Sequence, residues 1–269
     1  MNLSKRAGVV VGVVAGLVAT VAYLLTMQRS VPFWDSGEFI AVSYILGVPH
    51  PPGTPFYVLI GRVASMLPFG SVAERLNGLS AIASALTVVV TYFTTLRLIR
   101  LAQGAARKPS DEPIAVLGAF VGAMLLAFSD TFWESASEAE VYALMSLAQI
   151  LVFWLGLRWW EAHERKPVAG PLLLCVYLMW LSVGLHLGVG MLGLPLIVLV
   201  WLVDRRAALV FAMPLLSVLL VNYGLERMAG GILALTTLVF IAFAWRKQLN
   251  GWVVLGGALA SGVGISIAL

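Results

Sequence analysis

Charge is scarce in this sequence: of 269 residues only 11% are Asp, Glu, Lys or Arg, and 61% are hydrophobic. Soluble domains carry about 25% charged and about 45–50% apolar residues. The composition therefore excludes a soluble globular domain, a disordered chain and a nucleic-acid binder, although the formal net charge is +4. Cysteine is nearly absent as well, because Cys175 stands alone and cannot form an intramolecular disulfide. What remains is an all-α, multi-pass membrane protein.

Long apolar runs are abundant, and a membrane-spanning helix needs about 20 mostly apolar residues. We predict about nine spans within a single integral membrane domain covering residues 1–269. The first begins after Lys5 and Arg6 and is too long for a signal peptide, so we interpret it as a retained anchor. The predicted spans are 7–27, 77–101, 113–129, 140–160, 170–187, 188–203, 207–222, 228–245 and 249–269.

One further apolar segment, 53–68, decides the orientation of the chain. It is short, contains Arg62 and is bounded by prolines, so we predict a re-entrant or interfacial helix inside a long loop, 28–76. The positive-inside rule then assigns most basic residues to the cytoplasm together with the N-terminus. Most acidic residues fall on the outer face, where the polar chemistry of the chain is concentrated.

The first acidic motif, Trp-Asp-Ser-Gly-Glu-Phe at 34–39, lies just outside the first span. Asp35 and Glu38 have the spacing of a capping box, which would only start a helix running to about Leu46. A carboxylate pair at a membrane surface is also a good candidate for a general base. The residues alone do not decide between capping and catalysis.

A proline-rich segment, 49–55, follows in the same loop and contains His50. Four prolines fix φ and remove backbone donors, which predicts a stiff, extended segment presenting His50. The simpler alternative is a turn that leads into the helix at 53–68. Both interpretations remain open at this point.

The second acidic motif covers 133–142, Trp-Glu-Ser-Ala-Ser-Glu-Ala-Glu-Val-Tyr. Ser137 and Glu140 have capping-box spacing, which explains Glu140 as a structural residue. Glu138 and Tyr142 are four residues apart, so we predict that they share one face of a helix at the outer surface. Glu134 would join that face if the helix extended far enough back.

His186 is a third kind of candidate, a histidine inside an apolar segment, and intramembrane ionisable groups are functional hypotheses by default. The alternative is a hydrogen bond to a neighbouring helix. The sequence contains no zinc-like ligand spacing, glycine-rich phosphate loop or serine elbow. We therefore expect neither a metal nor a cofactor.

Taken together, these motifs resemble the protein O-mannosyltransferase-like family of the GT-C glycosyltransferases. The resemblance is carried by residues 34–67, WDSGEFIAVSYILGVPHPPGTPFYVLIGRVASML, and by residues 137–144, SEAEVYAL. A shorter match covers 182–187, and the whole similarity extends over roughly residues 1–205. Related proteins commonly continue into more spans or a soluble domain, whereas this sequence stops at Leu269, which leaves open a short family member or a fragment.

The resemblance implies a GT-C-like fold and an inverting transferase that uses a polyprenyl- or dolichyl-phosphate sugar at the outer or lumenal face. Asp35, which matches the family's first-loop acid, would be the general base for a hydroxyl acceptor, such as Ser or Thr of a protein. The chemistry of other residues suggests, as hypotheses, that they orient hydroxyl groups or offset the charge on the departing phosphate. These candidate binding residues are Glu38, His50, Arg62, Glu138, Tyr142 and His186.

Two alternatives of other classes stay open, namely a multi-pass transporter and a non-catalytic membrane subunit. Transporter sites tend to lie at the bilayer midplane in broken helices, often within inverted repeats. Here the acidic residues cluster in a loop and at helix ends. The expected location is a bacterial inner membrane or the membrane of the endoplasmic reticulum, with lipid as a partner and no nucleic acid.

Overall fold

The computed structural model describes residues 3–104, 108–165, 170–205 and 208. Within these ranges the chain is helical and contains no strand, which confirms an all-α protein. Four helices are long and apolar enough to cross a membrane, so this is an integral membrane protein. The α-helices are α1 (Leu3–Thr26), α2 (Ser36–Ile45), α3 (Pro55–Ser65), α4 (Val72–Gln103), α5 (Glu112–Ala127), α6 (Asp130–Ser137), α7 (Val141–Arg165), α8 (Gly170–Val183) and α9 (Gly193–Val203).

Some of the predicted spans agree with these helices and others are longer than the helices observed. Helices α1, α4, α5 and α7 correspond to the first four predicted spans. The next two are shorter than predicted, because α8 has 14 residues and α9 has 11. The chain turns between them at Gly184–Leu185 and then forms a short 3-10 helix, Leu187–Leu192. The last three predicted spans lie outside the described residues, Ala208 excepted, so the number of spans stays a prediction.

The chain divides into two compact units, Met1–Ile150 and Leu151–Leu269, which are described separately. In the first unit, α1 packs against α4 and α5 around a core rich in alanine and tyrosine. Two buried tyrosines join the helices, because the Tyr23 hydroxyl donates to the Ala127 carbonyl and the Tyr92 hydroxyl to the Gly8 carbonyl, each at 2.8 Å. These bonds satisfy polar groups that burial would otherwise penalise.

Glycines in α1 allow the close contact with α4. A methyl group added at Gly12 would lie 2.8 Å from the Tyr92 ring, and one added at Gly16 would collide with Val89. The four-residue spacing of these glycines therefore serves packing within the chain. A cleft of about 540 Å³ lies between α1 and α5, near the end of α1 that is remote from α2.

Helices α2 and α3 lie in the first loop, residues 27–71, as the sequence predicts. The α2 helix ends at Ile45, where Leu46 adopts a left-handed conformation. The α3 helix has 11 residues, about 16 Å at 1.5 Å per residue, which is too short for a bilayer core of about 30 Å. Segment 53–68 therefore does not form a spanning helix. Both helices pack against α4, and Gly61 of α3 lies directly against Ser43 of α2.

In the second unit, the part of α7 after Ile150 contacts α8 and α9. The thiol of Cys175 is buried and donates to the Val152 carbonyl at 3.3 Å. A Cβ added at Gly156 would lie 3.0 Å from a methyl group of Leu196, so this glycine allows a close approach of α9. The Nε2 atom of His163 lies 3.7 Å from a carboxylate oxygen of Asp204.

Candidate active site in the first loop

Asp35 occupies the position before α2, but its carboxylate does not cap the helix. Its backbone is helical, with φ −72° and ψ −14°, and its side chain makes no capping hydrogen bond. A capping side chain usually requires an extended backbone at this position. The capping box that Asp35 and Glu38 could have formed is therefore absent. Among the residues described, the exposed Asp35 carboxylate makes no hydrogen bond or ion pair.

Glu38 binds His50 instead of the helix terminus. One carboxylate oxygen, Oε1, accepts from the His50 backbone N–H at 2.7 Å, and Oε2 lies 2.7 Å from Nδ1 of the same residue. This bidentate contact joins α2 to the segment before α3. The hydrogen bond from the His50 ring is the main cause that lowers the pKa of Glu38. The same bond, assisted by the charges of Asp35 and Glu140, raises the pKa of His50.

Of the two interpretations that the sequence left open for the proline-rich segment, the structure has the turn. The Gly53 N–H donates to the His50 carbonyl at 2.9 Å, and Gly53 has φ 76°, a value that glycine adopts without strain. His50 is therefore held mainly by Glu38 and by the neighbouring aromatic ring of Phe39. The ring centroids of Phe39 and His50 are 5.8 Å apart, and Tyr57 lies 5.2 Å beyond Phe39.

The second acidic motif also differs from the sequence prediction. Ser137 ends α6, and its hydroxyl donates to the Trp133 carbonyl at 2.9 Å, so the capping box with Glu140 does not form. Glu138 is extended, with φ −141° and ψ 163°, and α7 begins only at Val141. Glu138 therefore shares no helical face with Tyr142 or with Glu134. The prediction failed because the chain leaves the helix between α6 and α7.

Packing brings this extended segment to α2 and α3. Ala139 is fully buried in a cluster with Ile40 of α2, Ala64 of α3 and two residues of α4. Its neighbour Glu140 lies within electrostatic range of Asp35 and His50. Burial raises the pKa of Glu140 to about 7, assisted by the charges of Glu138 and Asp35. The sequence had given Glu140 only a structural role.

Glu138 is partly buried and has a raised pKa, because burial penalises its charge and Glu134 adds a second negative charge. Tyr57 of α3, which the sequence did not single out, is fully buried. Its hydroxyl has no hydrogen-bond partner among the described residues. Burial and the charge of Glu140 raise the pKa of Tyr57.

The remaining predicted site residues are placed elsewhere. Arg62 of α3 donates to the Tyr44 carbonyl at 2.5 Å and lies over the Tyr44 ring, so it joins α3 to α2. Tyr142 is on the first turn of α7, with a side chain that is 45% exposed. His186 belongs to the second unit, where its Nδ1 accepts from the Gly188 N–H at 3.0 Å and caps a short helix.

Donor atoms of Asp35, Glu38 and His50 lie within 4.8 Å of one another, a distance that a metal ion could bridge. In this structure, however, Glu38 and His50 bind each other, and an ordinary ion pair accounts for their contact. Carboxylate and imidazole groups of this kind also serve as a base and as a positive charge without metal. The absence of a metal requirement stays a prediction.

Removal of the Glu38 carboxylate should lower the pKa of His50. In the variant Glu38→Gln the hydrogen bond that stabilises the imidazolium is weakened and its counter-charge is lost, so the ring should release its proton at lower pH. Nuclear magnetic resonance of the imidazole measures this midpoint directly. The chain has three histidines, so the His50 signal can be assigned with His50→Gln.

Glu134→Gln is the matched control, because Glu134 is an exposed acid on α6 outside this contact. It should leave the His50 midpoint unchanged. An unchanged midpoint in Glu38→Gln would instead contradict the Glu38–His50 pair. In the unaltered protein the pair should persist until the pH falls through the lowered pKa of Glu38 or rises through the raised pKa of His50.

The fold and the site define a class: an integral membrane protein of helices with a carboxylate–histidine site in the loop after its first helix. Residues 35–210 match the family model of the protein O-mannosyl-transferase TMEM260 N-terminal domain. The chain belongs to this family, which confirms the resemblance found in its motifs.

Two curated relatives show the extent of the similarity. The mouse protein O-mannosyl-transferase TMEM260 is 34% identical over 169 residues, which is 61% of this chain and 22% of that protein. The Dictyostelium discoideum protein O-mannosyl-transferase tmem260 is 24% identical over 167 residues, 61% of this chain and 18% of its own length. The matched region therefore spans about a fifth of the length of these relatives.

Proposed function

We propose that this protein is an inverting, GT-C-type glycosyltransferase, which transfers mannose from a polyprenyl-phosphate carrier to a hydroxyl group of a protein. The observation that carries this proposal is the exposed, unbonded carboxylate of Asp35 beside the Glu38–His50 pair. The names of the mouse and Dictyostelium relatives, both protein O-mannosyl-transferases, support the sugar and the acceptor class.

In this reaction the acceptor oxygen of Ser or Thr attacks the anomeric carbon of the sugar. Asp35 accepts the hydroxyl proton as the new C–O bond forms, and the bond between the anomeric carbon and the phosphate oxygen breaks. The electron pair of that bond leaves with the polyprenyl phosphate. Attack from the face opposite the leaving group inverts the anomeric centre. General-base catalysis of this kind contributes about 10²- to 10⁴-fold to the rate.

His50 is the positive group that we assign to the leaving phosphate. Its pKa is raised chiefly by the hydrogen bond with Glu38, so the imidazolium persists to higher pH than an isolated histidine. A fixed positive charge stabilises an anion that develops in the transition state. Glu38 holds the ring, and Glu138 is proposed to bind a hydroxyl group. Arg62 is not proposed for the phosphate, because its guanidinium binds Tyr44.

The site is proposed to face the outer or lumenal side of the membrane. This orientation rests on the distribution of charge along the chain, in which basic residues dominate the loops on the opposite side. Tyr142 and His186 stay as predicted binding residues.

The reaction should not depend on a metal ion. Treatment of the full-length protein with EDTA, followed by removal of the chelator–metal complex, should leave the transfer rate unchanged, because Asp35 and His50 supply the base and the positive charge. The measurement is the rate before and after treatment and after re-addition of Mn²⁺ or Mg²⁺. Loss of activity that either ion restores would contradict this proposal.

The function is tested with the full-length protein in lipid, a serine- and threonine-containing peptide, and two labelled donors. We expect transfer from mannosyl polyprenyl phosphate and none from GDP-mannose, and the product should have the anomeric configuration opposite to that of the donor. Transfer from the nucleotide sugar, or a retained configuration, would overturn the proposal. Uptake of a solute into proteoliposomes without any sugar transfer would favour the transporter alternative.

A further inference from the structure

The neighbourhood of Glu140 is built by packing between separate parts of the chain. Buried Ala139 inserts into the cluster formed by α2, α3 and α4 and places the adjoining residue beside the first loop. A backbone hydrogen bond from the Gln28 N–H to the Ser137 carbonyl, 2.9 Å long, joins the beginning of that loop to the end of α6. Glu140 is therefore brought to Asp35 from a position more than a hundred residues away in sequence.

The ionisable groups that face Glu140 come from three other segments as well as its own. Asp35 precedes α2, His50 precedes α3 and Tyr57 lies on α3, while Glu138 is two residues away in the same extended segment. Two of these four groups are carboxylic acids and one is a phenol. The fourth, His50, is the cation among them and is already bound by Glu38. The Tyr57 side chain is fully buried, and its hydroxyl lacks a hydrogen-bond partner in the described part of the chain.

We propose that Glu140 is a positioning residue of this site, which holds a proton in the resting protein and, once it has released that proton, strengthens Asp35 as a base. The inference rests on the proposed transfer reaction and assigns Glu140 a role in controlling it. Glu140 does not need to touch the substrate, because a negative charge near Asp35 acts through space.

The direction of the effect follows from the charges. A protonated Glu140 adds no charge near Asp35. An ionised Glu140 adds a second negative charge near it. Asp35 then gains more electrostatic stabilisation when it accepts the proton of the acceptor hydroxyl. Because burial, Glu138 and Asp35 raise the pKa of Glu140 to about 7, the transfer rate should increase as the pH rises through neutrality.

The test is the pH profile of transfer, measured for the full-length protein between about pH 6 and pH 8. The unaltered protein should show a rate that rises through about pH 7, and Glu140→Gln should lose this rise and remain about tenfold slower at the upper end, as expected for removal of one nearby charge. Glu140→Asp should restore a rise. Glu134→Gln, a control on α6, should keep the original profile.

A double variant shows whether Glu140 acts through Asp35. In an Asp35→Asn background, the change Glu140→Gln should have no further effect on the residual rate, because the base that it influences is gone. An unchanged pH profile in Glu140→Gln alone would overturn the inference. A complete loss of transfer at every pH, with normal thermal unfolding, would also overturn it, since it would indicate direct substrate contact.

Infrared spectroscopy separates this inference from the proposed function. The protein should show a protonated-carboxyl band that disappears with a midpoint near the pKa of about 7, and Glu140→Gln should lack that titration. If the band titrates as expected but no sugar is transferred, the proposed function fails while the proton-holding role of Glu140 survives. If transfer occurs and the band does not titrate near neutrality, the inference fails alone.

Discussion

Asp35→Asn should reduce sugar transfer by about 10²- to 10⁴-fold, the contribution expected of a positioned general base. The substitution keeps the size of the side chain and removes its ability to accept a proton. Because the Asp35 carboxylate makes no capping hydrogen bond, the fold should lose little, within about 0.5 kcal/mol of the stability of the unaltered protein. The measurement pairs a transfer assay with thermal unfolding of the full-length protein.

Glu134→Gln provides the matched control for this experiment. It removes one exposed carboxylate from α6 that is not itself assigned to the reaction, and its charge is the smaller of the two causes that raise the pKa of Glu138, so the rate and the unfolding temperature should stay close to those of the unaltered protein. Equal rates for Asp35→Asn and the unaltered protein would remove Asp35 as the base. If Asp35→Asn loses both its transfer activity and its fold, the carboxylate has a structural role, which would contradict this account.

Gly61→Ala should lower the transfer rate by about a hundredfold, although Gly61 is not assigned to any chemical step. An added Cβ would lie 2.8 Å from the Ser43 Cβ and still closer to its hydroxyl oxygen, a separation that real side chains do not tolerate. Helices α2 and α3 would have to move apart, which separates Asp35 and Glu38 from His50. A displacement of about 1 Å costs roughly 10²-fold in rate, and overpacking costs about 1–3 kcal/mol of stability.

The explanation can be checked by restoring the space. Ser43→Gly in the Gly61→Ala background removes both atoms that the new methyl group would meet, so most of the activity should return, at a helix cost of about 1 kcal/mol. The Ser43 hydroxyl has no hydrogen-bond partner in the described ranges, so its loss adds no broken bond. Gly78→Ala should be neutral, because its nearest neighbouring atom is 3.8 Å away. Failure of the Ser43→Gly rescue would contradict the packing argument.

Patterns that depend on composition and length were predictable from the sequence. Apolar runs identified the long helices α1, α4, α5 and α7, and the proline boundaries of 53–68 indicated a short helix in the first loop. The expected end of α2 near Leu46 agrees with the observed end at Ile45. The family followed from short motifs around Asp35 and His50 and is confirmed by the match over 35–210.

Side-chain partners were harder to predict, because they depend on backbone angles that spacing does not encode. Asp35 and Glu38 have the spacing of a capping box, but Asp35 has a helical backbone and makes no capping hydrogen bond, and Glu38 binds His50 instead. The same limitation affected Ser137 and Glu140, where α6 ends and an extended segment intervenes. Both cases concern local geometry, and in both of them acids with an apparent structural role lie in the candidate site.

Glu140 and Tyr57 show a second limitation, which concerns contacts between distant segments. Each residue lies in a segment that carries the family resemblance, but no spacing pairs one with the other, and their proximity depends on the packing of Ala139 and α3. The available signal was the two-residue spacing of the acids at 138 and 140. In an extended chain this spacing places both side chains on the same face. Because we interpreted the segment as a helix, we paired Glu138 with Tyr142 instead of with Glu140.

The most direct test of this account is a structure of the full-length Asp35→Asn protein with mannosyl polyprenyl phosphate and an acceptor peptide bound. We expect the acceptor hydroxyl to lie about 2.6–3.2 Å from the side chain at position 35, the anomeric carbon to face that hydroxyl, and the phosphate to lie beside His50. A sugar bound elsewhere, for example in the cleft between α1 and α5, would contradict the assignment of the first-loop site.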